Sequence, residues 1–593
     1  MKYDSKDLTE MSNVVRADAL RAIMSAHSGH IGIVLDAADI ITTIYANFMR
    51  SGHDRFILSA GHGSALLYSV LKNSGHDIGD LATFRKIGGL PGHPEYGIHG
   101  VSATTGPLGQ GVANAVGAAL AEKIRGTDGV VYCLCGDGDL SEGVAQEAIA
   151  FAGRYQLNNL VLMWDDNKLT IDGTAMTDMD IPSRMRAAGW HTDVVSGDDF
   201  DAINRALRAT SRARLPVFIE CKNTLGRGSS VAGLSRAHGY GLPNEEISKL
   251  ATQYDNAHGR KLWSEFAATH SWTIDDAPRI KLPHVKIPAT SNIISTRELA
   301  GVYLDAMIAA GVHLMCGSAD LGGSTNVKTK SSVDIAAGNF AGNYINYGVR
   351  EHAMAAIMNG MAATGLRPVG STFLVFSDYM RGAMRMSAIS GLPVIYVLTH
   401  DSIAVGEDGP THQPVEQLPS LRMIPNMNVF RPCNRLEVIY SWRRAILDTN
   451  HPSCIILSRQ AFLMPPTPRD ADVRRGGYVI MGAGTRRVRA TIIATGSEVP
   501  LAIDVARRLG PGVQVVSMPS VADFRRQGVE YQRHILRGFV VAIEAAATAP
   551  WFEFADAVVG INGFGVSGPA SDVYTHCGFD AETIANDIAC KIK

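Results

Sequence analysis

Seven short β-branched runs constrain this chain more than any other feature: NLVLMW (159–164), PVFIECK (216–222), GLPVIYVLTH (391–400), PSCIILSR (452–459), RATIIATGS (489–497), VQVVSMPS (513–520) and FVVAIEA (539–545). Helical stretches separate them, and strands that alternate with helices build parallel sheets flanked by helices. The sequence therefore predicts an α/β fold. Open parallel sheets bind ligands at the carboxyl ends of their strands, so the chemistry is expected in the polar residues that close each run.

A length of 593 residues suggests about three or four domains at ~150 residues each. The stretch from about 255 to 290 loses the strand rhythm and carries Pro278, Pro283 and Pro288, which marks it as the best linker. A weaker break falls near 465–488. The domains expected are 1–255, 291–470 and 471–593, with 256–290 as linker. A net charge of −2 without a basic block argues against a nucleic-acid surface. The start, MKYDSKDLTEMSN, is too polar for a signal peptide, and no run of ~18 apolar residues is present, so the cytoplasm is the expected location and no membrane partner is implied. The cysteines (133, 135, 221, 316, 433, 454, 577 and 590) lie mostly in apolar runs without a CxxC pair and read as reduced core thiols.

The run GVVYCLC (129–135) exits into GDGDLSEG (136–143), and NLVLMW exits into DDNKLTIDG (165–173). Two strand ends side by side can share one ion. A carboxylate, an amide oxygen and a main-chain carbonyl suit Mg²⁺ or Ca²⁺, and glycines let backbone approach a phosphate. Taken alone, GDG is common turn chemistry.

This pair of motifs resembles the cofactor and metal motif of the transketolases. The resemblance runs nearly end to end, through SGH (28–30), DRFILSAGHGSALLYSVL (54–71), LPGHPEYG and TTGPLGQGVANAVG (90–117), NYGVREHAMAAIMNG (346–360), STFLVFSDY (371–379), THDSIAVGEDGPTHQPVEQL (399–418), LSRQ (457–460) and IATGSEV (493–499). It implies two thiamine-diphosphate-binding-fold domains, one for the diphosphate and metal and one for the pyrimidine, plus a C-terminal transketolase-type domain.

The resemblance also implies roles. Asp137, Asn167 and the carbonyl of Leu169 would hold the metal, with His62, Gly106, Leu108, Gly138 and His238 around the cofactor diphosphate. Glu351 would bond the aminopyrimidine and share a proton with it. A Glu beside Arg350 would otherwise read as a helical ion pair; among apolar neighbours its pKa should rise. Phe373, Phe376 and Tyr379 would form the aromatic wall, and Asp320 would reach the cofactor. His30, His93, His238 and His412 would exchange protons with substrate hydroxyls, as imidazoles can near neutral pH. Asp408 would contact a hydroxyl. Arg297, Ser324, His400 and Arg459 would clamp a terminal phosphate. Glu142 matches a buried interface glutamate, and Glu147 lies beyond it in a similar role. Asp139 receives no role, because the family usually has an uncharged residue there. His27, His53, His76 and His99 are expected at the solvated surface.

The activity implied is transfer of a two-carbon ketol unit from xylulose 5-phosphate, fructose 6-phosphate or sedoheptulose 7-phosphate to ribose 5-phosphate, erythrose 4-phosphate or glyceraldehyde 3-phosphate. It would run through a dihydroxyethyl-thiamine-diphosphate intermediate, in the non-oxidative pentose phosphate pathway, in a homodimer with interfacial sites. Dihydroxyacetone synthase and 1-deoxyxylulose-5-phosphate synthase are the related alternatives. Two departures stand out: SGHIGIVLD (28–36) replaces an SGHPG segment that continues into a Pro-Leu-Gly loop, and the segment after AHGYGLP (237–243) is short.

Overall fold

The computed structural model describes residues 2–174, 180–272, 280, 282–285 and 288–592. The chain divides into two compact units. The first takes in residues 1–278 with 336–341 and 356–366, and the second takes in the remainder.

In the first unit, strands β1 (Arg55–Leu58), β2 (Val131–Gly136), β3 (Leu160–Asp166), β4 (His191–Ser196) and β5 (Val217–Lys222) form one sheet in the order 1-2-3-5-4. Every pairing is parallel, with Leu58 beside Leu134, Leu134 beside Met163 and Asp165 beside Cys221. Register alone therefore brings Ser59, Asp137, Asn167 and Asn223 to one edge. β1, β2, β3 and β5 are buried almost throughout, as expected of parallel strands covered on both faces, whereas the edge strand β4 is largely exposed or half-buried.

The first helix, Ser5–Ala26, is capped by Asp4, whose side chain accepts from the backbone N–H of Lys6 and Asp7 at 2.9 Å. It packs against the helices Asn244–Tyr254 and Ala257–Thr269. The last of these lies inside the stretch expected as linker. Trp263 and Phe266 anchor it in the core, and the Trp263 indole N–H donates to the Met11 carbonyl at 2.9 Å. The prolines mark only the part of that stretch beyond residue 272, within which 273–279, 281, 286 and 287 lie outside the described residues.

Among its described residues the second unit holds two large sheets and a two-stranded antiparallel pair, Ile293–Ile294 with Phe462–Leu463. Strands β6 (Met315–Ser318), β7 (Tyr344–Asn346), β8 (Pro368–Phe373), β9 (Ile395–Thr399), β10 (Asn428–Phe430) and β11 (Ser453–Leu457) pair all-parallel in the order 7-6-8-9-11-10. Phe373, Thr399 and Leu457 are in register, so Phe373, His400 and Arg459 emerge along one edge. The other sheet comprises β12 (Tyr478–Met481), β13 (Ala490–Ala494), β14 (Val513–Ser517), β15 (Phe539–Ile543) and β16 (Ala557–Val559). Its order is 12-14-13-15-16, with only β12 antiparallel.

A buried arginine fastens these two sheets. Arg431, following β10 and 1% exposed, donates to Asp401 at 2.9 Å and to Glu498 and the Thr495 hydroxyl beyond β13. A buried guanidinium survives only when carboxylates surround it, so this network sets the register between the sheets. Six of the eight cysteines are buried as expected; Cys577 is half-buried and Cys590 is exposed on the last helix, where the sequence offers few apolar neighbours. No helix among the described residues is long and apolar enough to cross a membrane.

Candidate active site

In the first unit, GDGDLSEG opens directly into a short helix, Asp137–Ser141, and Gly143–Arg154 continues as a second. The strand end and helix start aim backbone N–H groups at a cavity of about 240 Å³ lined by Asp137, Gly138, Asn167, Leu169, His62 and His238, with Leu108 on its wall. A Cβ at Gly138 would come within 2.8 Å of Leu108 Cδ1, and Gly106 has φ +143° with the His93 ring 3.4 Å from where its Cβ would be. The positive φ at Gly106 favours glycine, while at Gly138 a side chain would have to displace the tip of Leu108.

Asn167 is held in one orientation. Its Nδ2 donates to Asp165 at 3.0 Å and to Asp36 at 3.4 Å, while its Oδ1 accepts from the Leu169 N–H at 3.1 Å. The two carboxylates take the amide hydrogens, so the amide oxygen is the end left to face an acceptor-seeking ion. Asp165 also accepts from Asn223 at 2.6 Å, and burial raises its pKa to about 6 against the pull of those two amides. Burial pushes Asp36 well above the usual carboxylate range, and neighbouring Asp165 adds to that. The chemistry of this donor set, carboxylate plus amide and main-chain oxygens, fits a hard divalent cation, and the glycine cradle fits a diphosphate.

Asp139, given no role by the sequence, is fully buried and bonded on every side. Its Oδ1 accepts from the Ser59 hydroxyl at 2.6 Å and the Gly109 N–H at 2.7 Å, and its Oδ2 accepts from the Gly136 N–H at 3.0 Å. Burial raises its carboxyl above the ordinary range even so. It ties the loop carrying Asp137 to the PLGQG loop.

Four histidines predicted for the site come together. Ring centroids of His30 lie 5.2 Å from His62, 6.3 Å from His93 and 5.5 Å from His238, and His62 and His238 are 4.8 Å apart. Burial and mutual repulsion lower His30 to about 4 and His62 well below its usual value, and burial lowers His93 and His238. All four are therefore neutral at pH 7, able to donate at one ring nitrogen and accept at the other. Arg85, which the sequence reading missed, approaches His30 Nδ1 at 3.4 Å and donates to Ser28 at 2.5 Å. Its position in FRKIGGLPGHP, eight residues before His93, was the available signal. The departing segment IGIVLD forms a helix, Ile31–Asp36, and is buried throughout.

In the second unit Glu351 opens the helix Glu351–Ala363 and is 9% exposed. Burial raises its pKa as expected, and its Oε1 accepts from the Thr372 hydroxyl at 3.3 Å. Phe373 and Phe376 stack with centroids 6.0 Å apart, and Tyr379, exposed, lies 6.3 Å beyond. His400 stacks on Phe373 at 3.6 Å and His412 meets the Phe376 ring edge-on at 5.3 Å. Arg297 donates to the Ser324 carbonyl at 2.5 Å. Burial, with Arg297, Arg459 and His412 nearby, pushes His400 down to about 3. Asp320 and Asp408 stand exposed, Asp320 with a left-handed φ of 62°.

In the single chain Glu142 is exposed and Glu147 half-buried. One expectation needs correction. His76 is not at the surface: it is 6% exposed and stacks on Trp272 at 4.3 Å, with the half-buried His99 5.0 Å away. His27 and His53 are exposed as expected.

Three family models match the chain: the transketolase thiamine diphosphate binding domain over residues 8–269, the transketolase pyrimidine binding domain over 292–464 and the transketolase-like C-terminal domain over 476–580. A transketolase of Sinorhizobium medicae is 40% identical over 97% of this chain and 92% of its own length. Among solved structures, a transketolase from Leishmania mexicana aligns with a TM-score of 0.89 at 35% identity, covering 98% of this chain and 96% of that one. A transketolase from Pichia stipitis, solved as a complex with sedoheptulose 7-phosphate, aligns with a TM-score of 0.87 at 34% identity over 99% and 98%.

Proposed function

The chain belongs to the transketolase family, and on that premise we propose how its residues carry out a thiamine-diphosphate-dependent two-carbon transfer from ketose phosphates to aldose phosphates. Asp137, the Asn167 amide oxygen and the Leu169 carbonyl hold Mg²⁺, with Ca²⁺ able to replace it. His62, His238 and the backbone around Gly106, Leu108 and Gly138 hold the diphosphate. Glu351 anchors the pyrimidine, Phe373, Phe376 and Tyr379 wall it, and Asp320 reaches it from the second unit. When bound, the cofactor supplies a thiazolium carbon as nucleophile and electron sink.

The chain's own groups do the rest. Glu351, with its pKa raised by burial, keeps a proton that it shares with the pyrimidine. His30, His93, His238 and His412 bond the substrate hydroxyls, and the neutral state of the first three lets them accept a proton as a C–C bond breaks and return it as one forms. Asp408 takes a further hydroxyl. Arg297, Ser324, His400 and Arg459 orient the terminal phosphate. Xylulose 5-phosphate, fructose 6-phosphate and sedoheptulose 7-phosphate are the donors, and ribose 5-phosphate, erythrose 4-phosphate and glyceraldehyde 3-phosphate the acceptors, in the non-oxidative pentose phosphate pathway of the cytoplasm. The working form is a homodimer in which the first unit of one chain completes its site with the second unit of the other.

The observation that carries this reading is the cluster of His30, His62 and His238 beside the cavity that Asp137 and Asn167 line. The test is a coupled assay with xylulose 5-phosphate and ribose 5-phosphate, with and without thiamine diphosphate and Mg²⁺, beside Glu351→Ala. Cofactor-dependent glyceraldehyde 3-phosphate that collapses in the variant supports it. Turnover of pyruvate in place of the ketose phosphate would move the chain to the deoxyxylulose-phosphate branch.

A further inference from the structure

A second cavity of the first unit has no part in this chemistry. It is a cleft of about 1270 Å³ at the opposite edge of the sheet, where Val130, Tyr132, Asn159 and Val161 line it at the entrance of β2 and β3, while Gly136 and Asp165 at their exits line the cofactor cavity. Six residues of strand put the two about 20 Å apart. Its lining carries Arg50, Lys123, Arg205, Arg208, Arg212 and Arg214 against two carboxylates, Asp54 and Asp128, both already taken by Arg50 at 2.8 and 2.6 Å. The other five cations have no ion pair among the described residues, on a chain whose net charge is −2.

The helix Phe200–Ala209 ends at this cleft, and its carbonyl dipole accounts for Arg208 in the last turn. It does not account for Arg212 and Arg214, which lie beyond the helix, nor for Lys123, which is half-buried on another element with its pKa lowered by that burial. A cation desolvated without a counter-charge costs free energy unless an anion arrives. The floor beneath them is apolar, from Phe48, Tyr132, Leu207 and Leu215. Cationic rim over apolar floor, at a volume somewhat above the ~300–1,000 Å³ of small-molecule pockets, is the complement of a polyanion joined to a flat ring. We propose that this cleft binds a nucleoside polyphosphate, with its phosphates among Lys123, Arg205, Arg208, Arg212 and Arg214 and its base on the apolar floor.

The proposal stands apart from the catalytic reading and is tested with the catalytic site filled. Holoenzyme saturated with thiamine diphosphate and excess Mg²⁺ is titrated calorimetrically with ATP, adenosine, inorganic triphosphate and a single-stranded oligonucleotide. The expected result is saturable ATP binding at one site per chain. Arg212→Glu with Arg214→Glu weakens it about tenfold or more, Lys123→Gln weakens it less, and two-carbon transfer is unchanged in both. Adenosine and triphosphate each bind less tightly than ATP. Absence of saturable binding, or binding indifferent to both variants, overturns the proposal. Triphosphate binding as tightly as ATP overturns the role of the floor, and tighter binding of the oligonucleotide overturns the small-ligand reading.

Discussion

The carboxylate of Asp139 accepts a hydrogen bond from the Ser59 hydroxyl at 2.6 Å, joining residues 80 positions apart across the exits of β1 and β2. The same carboxylate holds the N–H groups of Gly109 and Gly136, so one side chain fixes both loops that surround the diphosphate cavity. Asp139→Ala leaves three donors without an acceptor, two of them buried (Ser59 Oγ and Gly109 N–H) and each of those worth about 1–3 kcal/mol. We expect a lower Tm and an apparent affinity for thiamine diphosphate and Mg²⁺ reduced about tenfold, with Asp139→Asn intermediate because its amide can still accept at one end. Thermal unfolding with and without the cofactors reads the two effects separately. An equal Tm loss in both conditions would mean that Asp139 supports only the fold.

Asp165 helps orient Asn167 by accepting from its amide, which also donates to Asp36, and it accepts from the Asn223 amide as well. Asp165→Asn offers one acceptor where two are needed, so one of these amides loses its partner. The metal is expected to bind about 10–100-fold more weakly, with kcat at saturating Mg²⁺ close to wild type. Metal titrations monitored by tryptophan fluorescence and by rate distinguish this from a loss of turnover at all metal concentrations.

Much of the fold and the site is legible in the sequence alone. The β-branched runs mark parallel strands because burial on both faces demands apolar residues throughout, and the motifs at their exits are local. Asp139 and Asp36 were not legible as structural groups, since what makes a buried acid tolerable is a partner far off in sequence: Ser59 for one, Asn167 for the other. His76 escaped for the same reason, because Trp272, nearly two hundred residues away, covers it. The helix Ala257–Thr269 was hidden by the prolines downstream of it.

Arg297 and Arg459 both bear on His400. Arg297→Ala is expected to raise KM for xylulose 5-phosphate about 10–100-fold, the loss of a charge-assisted contact, while leaving turnover of an unphosphorylated ketose nearly unchanged. A proportionate loss on both donors would remove the phosphate clamp from the account.

Burial under Trp272 lowers His76 to about 3, below the value near 6.5 it has in an unfolded chain. Above pH 6.5 both states are neutral and the group is indifferent to pH. As pH falls from 6.5 toward 3 the unfolded state takes up a proton that the folded state refuses, so stability declines through that window. Replacement by Phe removes the titration while keeping a ring to stack. His76→Phe is expected to lose less stability than wild type between pH 7.5 and 5, measured by urea unfolding; parallel losses would contradict the assignment.

The central claim is that one chain supplies Asp137 and another supplies Glu351 to the same site. Asp137→Ala and Glu351→Ala, each expected to be inactive alone, are mixed under conditions that let subunits exchange. In a mixed dimer one site carries both lesions and the other carries neither, so random exchange restores about a quarter of wild-type two-carbon transfer. Recovery to that level is the predicted result. Activity that stays at the level of the separate variants, with exchange verified by mass, would show that each site is built from a single chain.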